Sequence, residues 1–128
     1  MNPQFETIAK TFVEQYYSAY DNEINHKNLP TFYSETDSLM TLDGLQIKGA
    51  KKILEKLDSL CIKKIERQIT SVDAQPTLDG SVLVHVIGSM LWEGIMPINF
   101  SQVFILKASG NQFYIGHDIF RIVITNKE

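Results

Sequence analysis

The sequence predicts an α+β fold in a single domain that spans residues 1–128. Helical spacing of apolar residues is confined to the first half of the chain, whereas long β-rich runs fill the second half. A length of 128 residues suits one hydrophobic core, and 44% hydrophobic with 21% charged residues is typical of a globular domain. We therefore expect helices that pack on one sheet.

Three helices are predicted in the first half. Residues 3–21 form an amphipathic helix, in which Asn2 can cap the start and Pro3 suits the first helical position. A short second helix covers residues 26–33, and a third runs through residues 49–60 with apolar side chains on one face. The apolar stripe of the first helix comprises Phe5, Ile8, Phe12, Tyr16 and Tyr20.

Strands are predicted on either side of turn signals. The dipeptide Asp43-Gly44 between residues 39–42 and 45–47 indicates a hairpin, because both turn positions need positive φ. Longer β-rich runs follow, and they cover residues 64–75, 81–92, 98–108 and 112–124. These runs are expected to pair as an antiparallel sheet.

Charge and composition argue against several classes of protein. A net charge of −3 argues against a nucleic-acid-binding protein, and the short basic run Lys63-Lys64 with Arg67 is interpreted as a solvated strand face. The single cysteine, Cys61, cannot form an internal disulfide and is expected to be an unreactive thiol. No apolar stretch has the length of a membrane span, so we predict a cytosolic or nuclear protein.

Catalytic and metal signatures are not found in the sequence. No histidine pair has the spacing of a metal site, and there is no phosphate loop or dinucleotide fingerprint, so neither a metal nor a cofactor is expected. His85 is expected at an interface or on a half-polar sheet face. Alternation places Phe113, Ile115 and His117 on one face of the last strand and Asp118 on the other, so His117 and Asp118 cannot form a dyad.

A set of short motifs occurs in a definite order along nearly the whole chain. The motifs are Phe12-Val13-Glu14-Gln15-Tyr16-Tyr17 with Asp21, Gly49-Ala50 with Glu55-Lys56-Leu57, Asp73-Ala74-Gln75-Pro76, Gln102-Val103-Phe104 and Asp118-Ile119-Phe120-Arg121. Together they resemble the nuclear transport factor 2 family, the small dimeric carriers that bring GDP-bound Ran back into the nucleus. The resemblance implies a cone, in which three helices pack on the concave face of a strongly curved antiparallel sheet and leave a cavity at its mouth.

The resemblance also implies a Ran-binding site. In the family, Ran inserts an aromatic side chain into the cavity mouth, and acids on the rim pair with basic residues of the same Ran segment. The corresponding rim acids here are Asp43 and Glu93, and the implied apolar wall comprises Leu42, Leu60, Ile65, Ile98 and Phe120. Two positions depart from the family: Leu42 replaces an aromatic residue, and Ile95 replaces a second rim acid. Trp92 is our candidate for the missing aromatic surface.

Two further surfaces are implied by the resemblance. Phe5 occupies the place of a key aromatic residue at the family's site for phenylalanine-glycine nucleoporin repeats, although it could equally staple the first helix to the core. A homodimer is expected through the outer sheet face, with candidates Val84, Val86, Val103 and Ile105, and the sequence leaves open which alternating set faces the partner. The implied location is cytoplasm and nucleus, concentrated at the nuclear envelope and pore.

The sequence therefore favours a homodimeric nuclear import carrier for GDP-bound Ran, without catalysis, nucleic-acid binding or membrane insertion. Two alternatives stay open. One is a small-molecule isomerase or dehydratase of the same cone fold, with Asp118 and either Tyr16 or Tyr17 as acid and base. The other is a dimeric nucleoporin-binding adaptor that has lost Ran, which Leu42 and Ile95 would favour.

Overall fold

The computed structural model describes residues 1–22, 26–60, 65–92 and 97–123. It contains the α-helices α1 (Phe5–Asp21) and α2 (Ala50–Ser59), and a 3-10 helix (His26–Phe32) between them. Its strands are β1 (Leu39–Leu42), β2 (Leu45–Lys48), β3 (Ile65–Pro76), β4 (Val82–Trp92), β5 (Ile98–Ser109) and β6 (Gln112–Val123). The predicted α+β class and the predicted order of elements are confirmed.

The start of α1 differs from the prediction. The helix begins at Phe5, so Pro3 precedes it rather than taking its first position. Gln4 is the N-cap residue and makes no side-chain capping hydrogen bond, whereas Asn2 Oδ1 accepts a 2.9 Å hydrogen bond from the Gln4 N–H. Asn2 therefore closes the turn before the helix, and α1 begins at Phe5, the first residue of the apolar stripe.

The six strands form one sheet in the order β2-β1-β6-β5-β4-β3. Neighbours pair antiparallel except β1 and β6, which are parallel, so the sheet is mixed rather than wholly antiparallel. The pairing register shifts in β3 between Ile69 and Ser71, and between β5 and β6 after Ile105. Such bulges bend a sheet and increase its twist, which lets the long strands curve around α1.

The inner face of the sheet packs against α1 through interlocked aromatic rings. Phe104 of β5 meets Phe12 and Tyr16 of α1 edge-on, with ring centroids 5.1 and 5.2 Å apart. All three side chains are buried. Edge-to-face contacts of this kind add to the free energy gained from apolar burial, so this cluster anchors the helix to the sheet.

The outer face of the sheet carries a different set of residues from the one predicted. Val84 and Val86 pair with Phe104 and Gln102 of β5 and are fully buried on the inner face. Val103 and Ile105 do lie on the outer face, where they pair with His85 and Leu83. Alternation along one strand defines two sets but not their orientation, which only the pairing with the aromatic inner face decides.

A bulge in β6 also overturns the predicted alternation. His117 pairs with Ile105 and Ile115 pairs with Leu106, so Gly116 is an extra residue between them. Ile115 is therefore buried on the inner face together with Asp118, whereas His117 is exposed. The prediction that Ile115 and His117 share a face was wrong, and the opposed directions of His117 and Asp118 are confirmed.

Candidate functional site

An apolar cavity of about 220 Å³ opens at the end of the sheet beside α2. It is lined by Tyr20, Met40, Leu42, Asp43, Leu57, Leu60, Ile65, Arg67, Met90, Gln102, Phe120 and Ile122. Five residues predicted from the family resemblance thus come together here, from four different elements of the fold: Leu42, Asp43, Leu60, Ile65 and Phe120. Leu60, directly after α2, is 38% exposed and offers apolar surface to solvent.

The remaining predicted cavity residues do not all reach it. Ile98 pairs with Met90 across β4 and β5 and is half-buried, but it is not among the described residues that line the cavity. Trp92 ends β4 and its backbone pairs with Ile65. Glu93 and Ile95 lie outside the described residues, as do Cys61 and the Lys63-Lys64 run.

Asp43 is held at the cavity rim by its own backbone and side chain. Its φ of 47° is positive, as the hairpin turn requires, and its N–H donates a 2.9 Å hydrogen bond to the Phe120 carbonyl. The carboxylate Oδ1 accepts a 2.8 Å hydrogen bond from the Ile122 N–H. No described residue donates to Oδ2, so an exposed, oriented carboxylate retains one oxygen for a partner.

Arg67 lines the cavity next to the half-buried carboxylate of Asp21. Its Nε and Nη2 donate hydrogen bonds of 2.8 and 2.6 Å to Asp21, and its side chain is only 5% exposed. The guanidinium lies 4.1 Å from the Tyr17 ring centroid and 5.0 Å from that of Phe100. Arg67 is therefore not the solvated strand residue that we predicted. Arg67 is two residues after Ile65 and therefore lies on the same inner face, where the bidentate pair with Asp21 neutralises its charge.

Asp118 lies behind this cavity at the centre of a sealed polar cluster. Tyr33 donates a 2.8 Å hydrogen bond to its Oδ2, and Gln102 Nε2 donates one of 2.8 Å to its Oδ1. Tyr17 donates to Gln102 Oε1 at 2.6 Å, and Tyr16 donates to the Tyr33 hydroxyl, whose own hydrogen is used on Asp118. Two of these donors thus reach the Asp118 carboxylate directly, and Tyr16 and Tyr17 are linked to it through Tyr33 and Gln102.

The surroundings of Asp118 decide its protonation and its accessibility. The residue is fully buried, and burial raises the pKa of its carboxyl to about 6, against the hydrogen bonds from Gln102 and Tyr33 that lower it. Asp118 is not among the described residues that line the cavity, and Gln102 stands between them. Tyr16 and Tyr17 reach Asp118 only through Tyr33 and Gln102, so neither forms the direct acid–base pair of the enzyme alternative.

Sequence reasoning missed Arg67 and Gln102 as cavity residues, although a signal for each was present. Gln102 is two residues from both Phe100 and Phe104, so all three lie on one face of β5 and the amide is among aromatic rings. Arg67 is two residues from Ile65 in the same way. A charged or amide residue on a buried face should have prompted a search for its partner.

Phe5, the predicted nucleoporin-binding residue, is half-buried in the first turn of α1 and packs against the core. Glu6 and Lys10, in the first two turns of α1, face Asp73 of β3 across a surface groove. The position fits both interpretations of Phe5, because the ring is anchored in the core and partly accessible.

Comparisons with known proteins agree with this architecture. The family model of the nuclear transport factor 2 (NTF2) domain matches residues 8–122 of the sequence. A Caenorhabditis elegans protein named "Probable nuclear transport factor 2" is 41% identical over 98% of this chain and 97% of its own. Nuclear transport factor 2 of Saccharomyces cerevisiae is 40% identical over 95% of this chain and 97% of its own.

Solved structures show the same likeness. Nuclear transport factor 2 from Cryptosporidium parvum superposes with a TM-score of 0.89 at 36% identity, over 96% of this chain and 98% of that one. Two further structures at 10% and 14% identity, with TM-scores of 0.74 and 0.75, share the fold alone. With the family model matching most of the chain and relatives near 40% identity, this protein belongs to the nuclear transport factor 2 family.

Proposed function

We propose that this protein is a homodimeric nuclear import carrier. It binds GDP-bound Ran at the cavity and phenylalanine-glycine nucleoporin repeats near Phe5, and it shuttles between cytoplasm and nucleus with a concentration at the nuclear pore. The observation that carries the proposal is the apolar cavity with an oriented acid, Asp43, at its rim. Relatives named nuclear transport factor 2 support the role in transport.

The size and lining of the cavity suit a single aromatic side chain. Its volume is about 220 Å³, and an apolar cavity of roughly 150 Å³ is known to hold a benzene ring. Met40 of β1, Leu57 of α2 and Phe120 of β6 supply apolar surface to it. An inserted ring would lose its water here and provide affinity, as buried aromatic anchors do at protein interfaces.

The rim supplies orientation. The Asp43 carboxylate is already held by the Ile122 N–H. Its pairing with a basic residue of the partner therefore costs little conformational entropy of the Asp43 side chain. Glu93 and Trp92 stay predictions for the same rim. Leu42 lines the cavity wall, so the aliphatic residue that replaces the family's aromatic one still contributes to the site and weakens the case for an adaptor without Ran.

The enzyme alternative has less support. The candidate acid, Asp118, has both oxygens engaged by Tyr33 and Gln102 and is shielded from the cavity. A general acid or base must come within hydrogen-bond reach of the substrate atom. Asp118 would need to break this cluster first.

The outer sheet face supports the homodimer. Ile87, Ile119 and Val123 are 42%, 50% and 45% exposed there, and Ile119 pairs with Val103. Exposed apolar side chains on a sheet face suit an interface, and a two-fold contact between identical sheets would cover them. His85 lies on this face and its Nε2 is 3.0 Å from Ser101 Oγ, so it fits the interface position that we expected.

Isothermal titration with purified Ran tests the carrier role. We expect binding to the GDP-bound form and not to the GTP-bound form. Asp43→Lys should abolish binding, and Asp43→Asn should weaken it about tenfold, since asparagine retains the turn and an acceptor for Ile122 but removes the charge. Glu55→Lys, an equal charge change on the exposed side of α2, is the control and should bind normally.

Binding to neither form of Ran would refute the proposed cargo. Equal loss of affinity in Asp43→Lys and Glu55→Lys would show that net charge, rather than the cavity rim, governs the interaction. A variant of the outer face, Ile119→Glu, separates the dimer from the cavity: it should yield monomers in analytical ultracentrifugation.

A further inference from the structure

A second groove lies toward the N-terminal end of α1, away from the cavity. It has a volume of about 870 Å³ and runs between α1, the 3-10 helix and the turn that joins β5 to β6. We call it the α1 groove. Its floor is apolar and is formed by Ile8, Phe12, Phe32 and Phe113. Neither the cavity nor the groove between α1 and β3 shares these residues.

Aromatic edges are available on this floor. Phe12 and Phe32 meet edge-to-face with ring centroids 5.8 Å apart. Phe12 is buried beneath, whereas Phe32 and Phe113 are half-buried, so each leaves part of its ring open to the groove. A further aromatic ring could extend this edge-to-face packing, which is the arrangement that such rings prefer.

The rim of the α1 groove consists of amides and hydroxyls. Thr11 and Gln15 project from α1, and Asn111 from the turn after β5. These side chains are exposed and make no hydrogen bond to any residue that the structure describes. Because an amide side chain both donates and accepts, the rim can bind the backbone of an extended peptide.

The absence of charge sets the chemistry of the occupant. None of the described side chains that line the α1 groove is charged, although 21% of the residues of the chain are. The groove between α1 and β3 contains Glu6, Lys10 and Asp73 instead. A charged segment would lose hydration in the α1 groove without gaining a partner, so an uncharged one is favoured.

We propose that the α1 groove is a second binding site for phenylalanine-glycine segments, distinct from the site at Phe5; this rests on the nucleoporin part of the proposed function. The phenylalanine ring packs against Phe32 and Phe113, and glycine allows the peptide backbone to approach α1 closely. Thr11, Gln15 and Asn111 bind that backbone. The groove is on the helix side of the sheet, opposite the outer face that we propose for the dimer.

Two weak sites on each subunit would change how the carrier holds a repeat protein. A repeat chain offers many copies of the same segment, so the second contact forms at a high effective concentration. Retention then rises while each contact keeps its fast release. The α1 groove thus adds valency rather than affinity at one point.

Nuclear magnetic resonance titration of labelled protein tests this site. The probe is a synthetic peptide with phenylalanine-glycine pairs separated by serines, and the blank replaces each phenylalanine by serine. We expect amide shifts around Ile8 and Phe113, retained in Phe5→Ala. Thr11→Glu places a charge in the groove at an exposed helical position. It should lower the peptide affinity obtained from these shifts about tenfold. Thr70→Glu, exposed at the β3 bulge, is the matched control and should not.

Shifts confined to the groove of Glu6, Lys10 and Asp73, and lost in Phe5→Ala, would overturn the α1 groove and leave the proposed function intact. Equal weakening by Thr11→Glu and Thr70→Glu would also overturn it, since net charge would then be the cause. No shift with any peptide would refute both this site and the nucleoporin part of the proposed function, while the Ran titration decides the cavity independently.

Discussion

Two carboxylates on the inner side of the sheet, Asp21 half-buried and Asp118 fully buried, are stabilised in different ways. Asp21 lies beside the cavity and receives a bidentate pair of hydrogen bonds from Arg67. Asp118 lies behind the cavity and receives hydrogen bonds from the neutral groups of Tyr33 and Gln102. The first carboxylate has a compensating charge, and among the described residues the second has only dipoles.

The difference explains why the cavity wall presents little uncompensated charge. Burial raises the pKa of the Asp21 carboxyl, but Arg67 opposes this, and the pair as a whole is neutral. For Asp118 burial dominates, and its pKa rises to about 6. One charge is cancelled and the other is screened from the cavity by Gln102, so apolar contact with the wall is the main interaction that remains.

Arg67→Met should have the largest effect, because it leaves the mostly buried Asp21 carboxylate without its counter-charge. Removing one member of a buried ion pair costs about 3–5 kcal/mol of unfolding free energy. Urea unfolding at pH 7 measures this. The double variant Asp21→Asn/Arg67→Met removes both charges and should recover more than half of the loss. An equal loss in the single and double variants would mean that Arg67 acts by packing on Tyr17 and not through its charge.

The pH dependence of Asp118 is the next effect in size. The native carboxyl, with its pKa near 6, binds a proton more tightly than the unfolded one near 3.8. The free energy of unfolding therefore falls as pH rises from about 4 to 6, by an amount on the order of 3 kcal/mol for this group. Asp118→Asn should remove that fall, as urea unfolding at a series of pH values would show.

Other carboxyls titrate in the same range, so the comparison is the difference between wild type and variant. Asp79→Asn serves as the control. Hydrogen bonds from Thr77 and Lys107 lower the pKa of Asp79, so its contribution has the opposite sign and is lost as pH falls. A difference curve for Asp118→Asn that is flat from pH 4 to 7 would contradict the account of its burial.

Local patterns were sufficient to predict the elements of the fold. The Asp43-Gly44 turn, the stripe on α1 and the β-rich runs each depend on neighbours within a few residues, and all appear where expected. The cavity was predicted from the family resemblance; of the five wall residues that it implied, Leu42, Leu60, Ile65 and Phe120 line the cavity, and Ile98 does not. No local pattern in those segments predicts a cavity.

Orientation across strands could not be predicted in the same way. The inward direction of Val84 depends on its pairing with Phe104, and the burial of Ile115 depends on the extra residue at Gly116. Arg67 looked solvated because its partner, Asp21, is 46 residues away in the sequence. Each error concerns a contact between distant segments, which a single strand or helix does not encode.

Tyr17 joins the two carboxylate regions, and its removal should have the smallest effect. Its hydroxyl donates to Gln102 on the Asp118 side, while its ring lies 4.1 Å from the Arg67 guanidinium on the other. Tyr17→Phe removes the hydroxyl and keeps the ring. We expect a loss of about 1–2 kcal/mol in urea unfolding, because Gln102 Oε1 is left buried without a donor.

Double-mutant cycles show whether the two regions are independent. Tyr17→Phe combined with Asp118→Asn should be non-additive, since both changes act on the same hydrogen-bonded cluster through Gln102. Combined with Arg67→Met it should be close to additive, because the phenylalanine ring still packs under the guanidinium position. Strong coupling in the second cycle would unite the two carboxylates in one network. A change at Asp118 would then alter the Arg67 side of the cavity. The distinction between the Asp21 charge, cancelled by Arg67, and the Asp118 charge, screened by Gln102, would no longer hold.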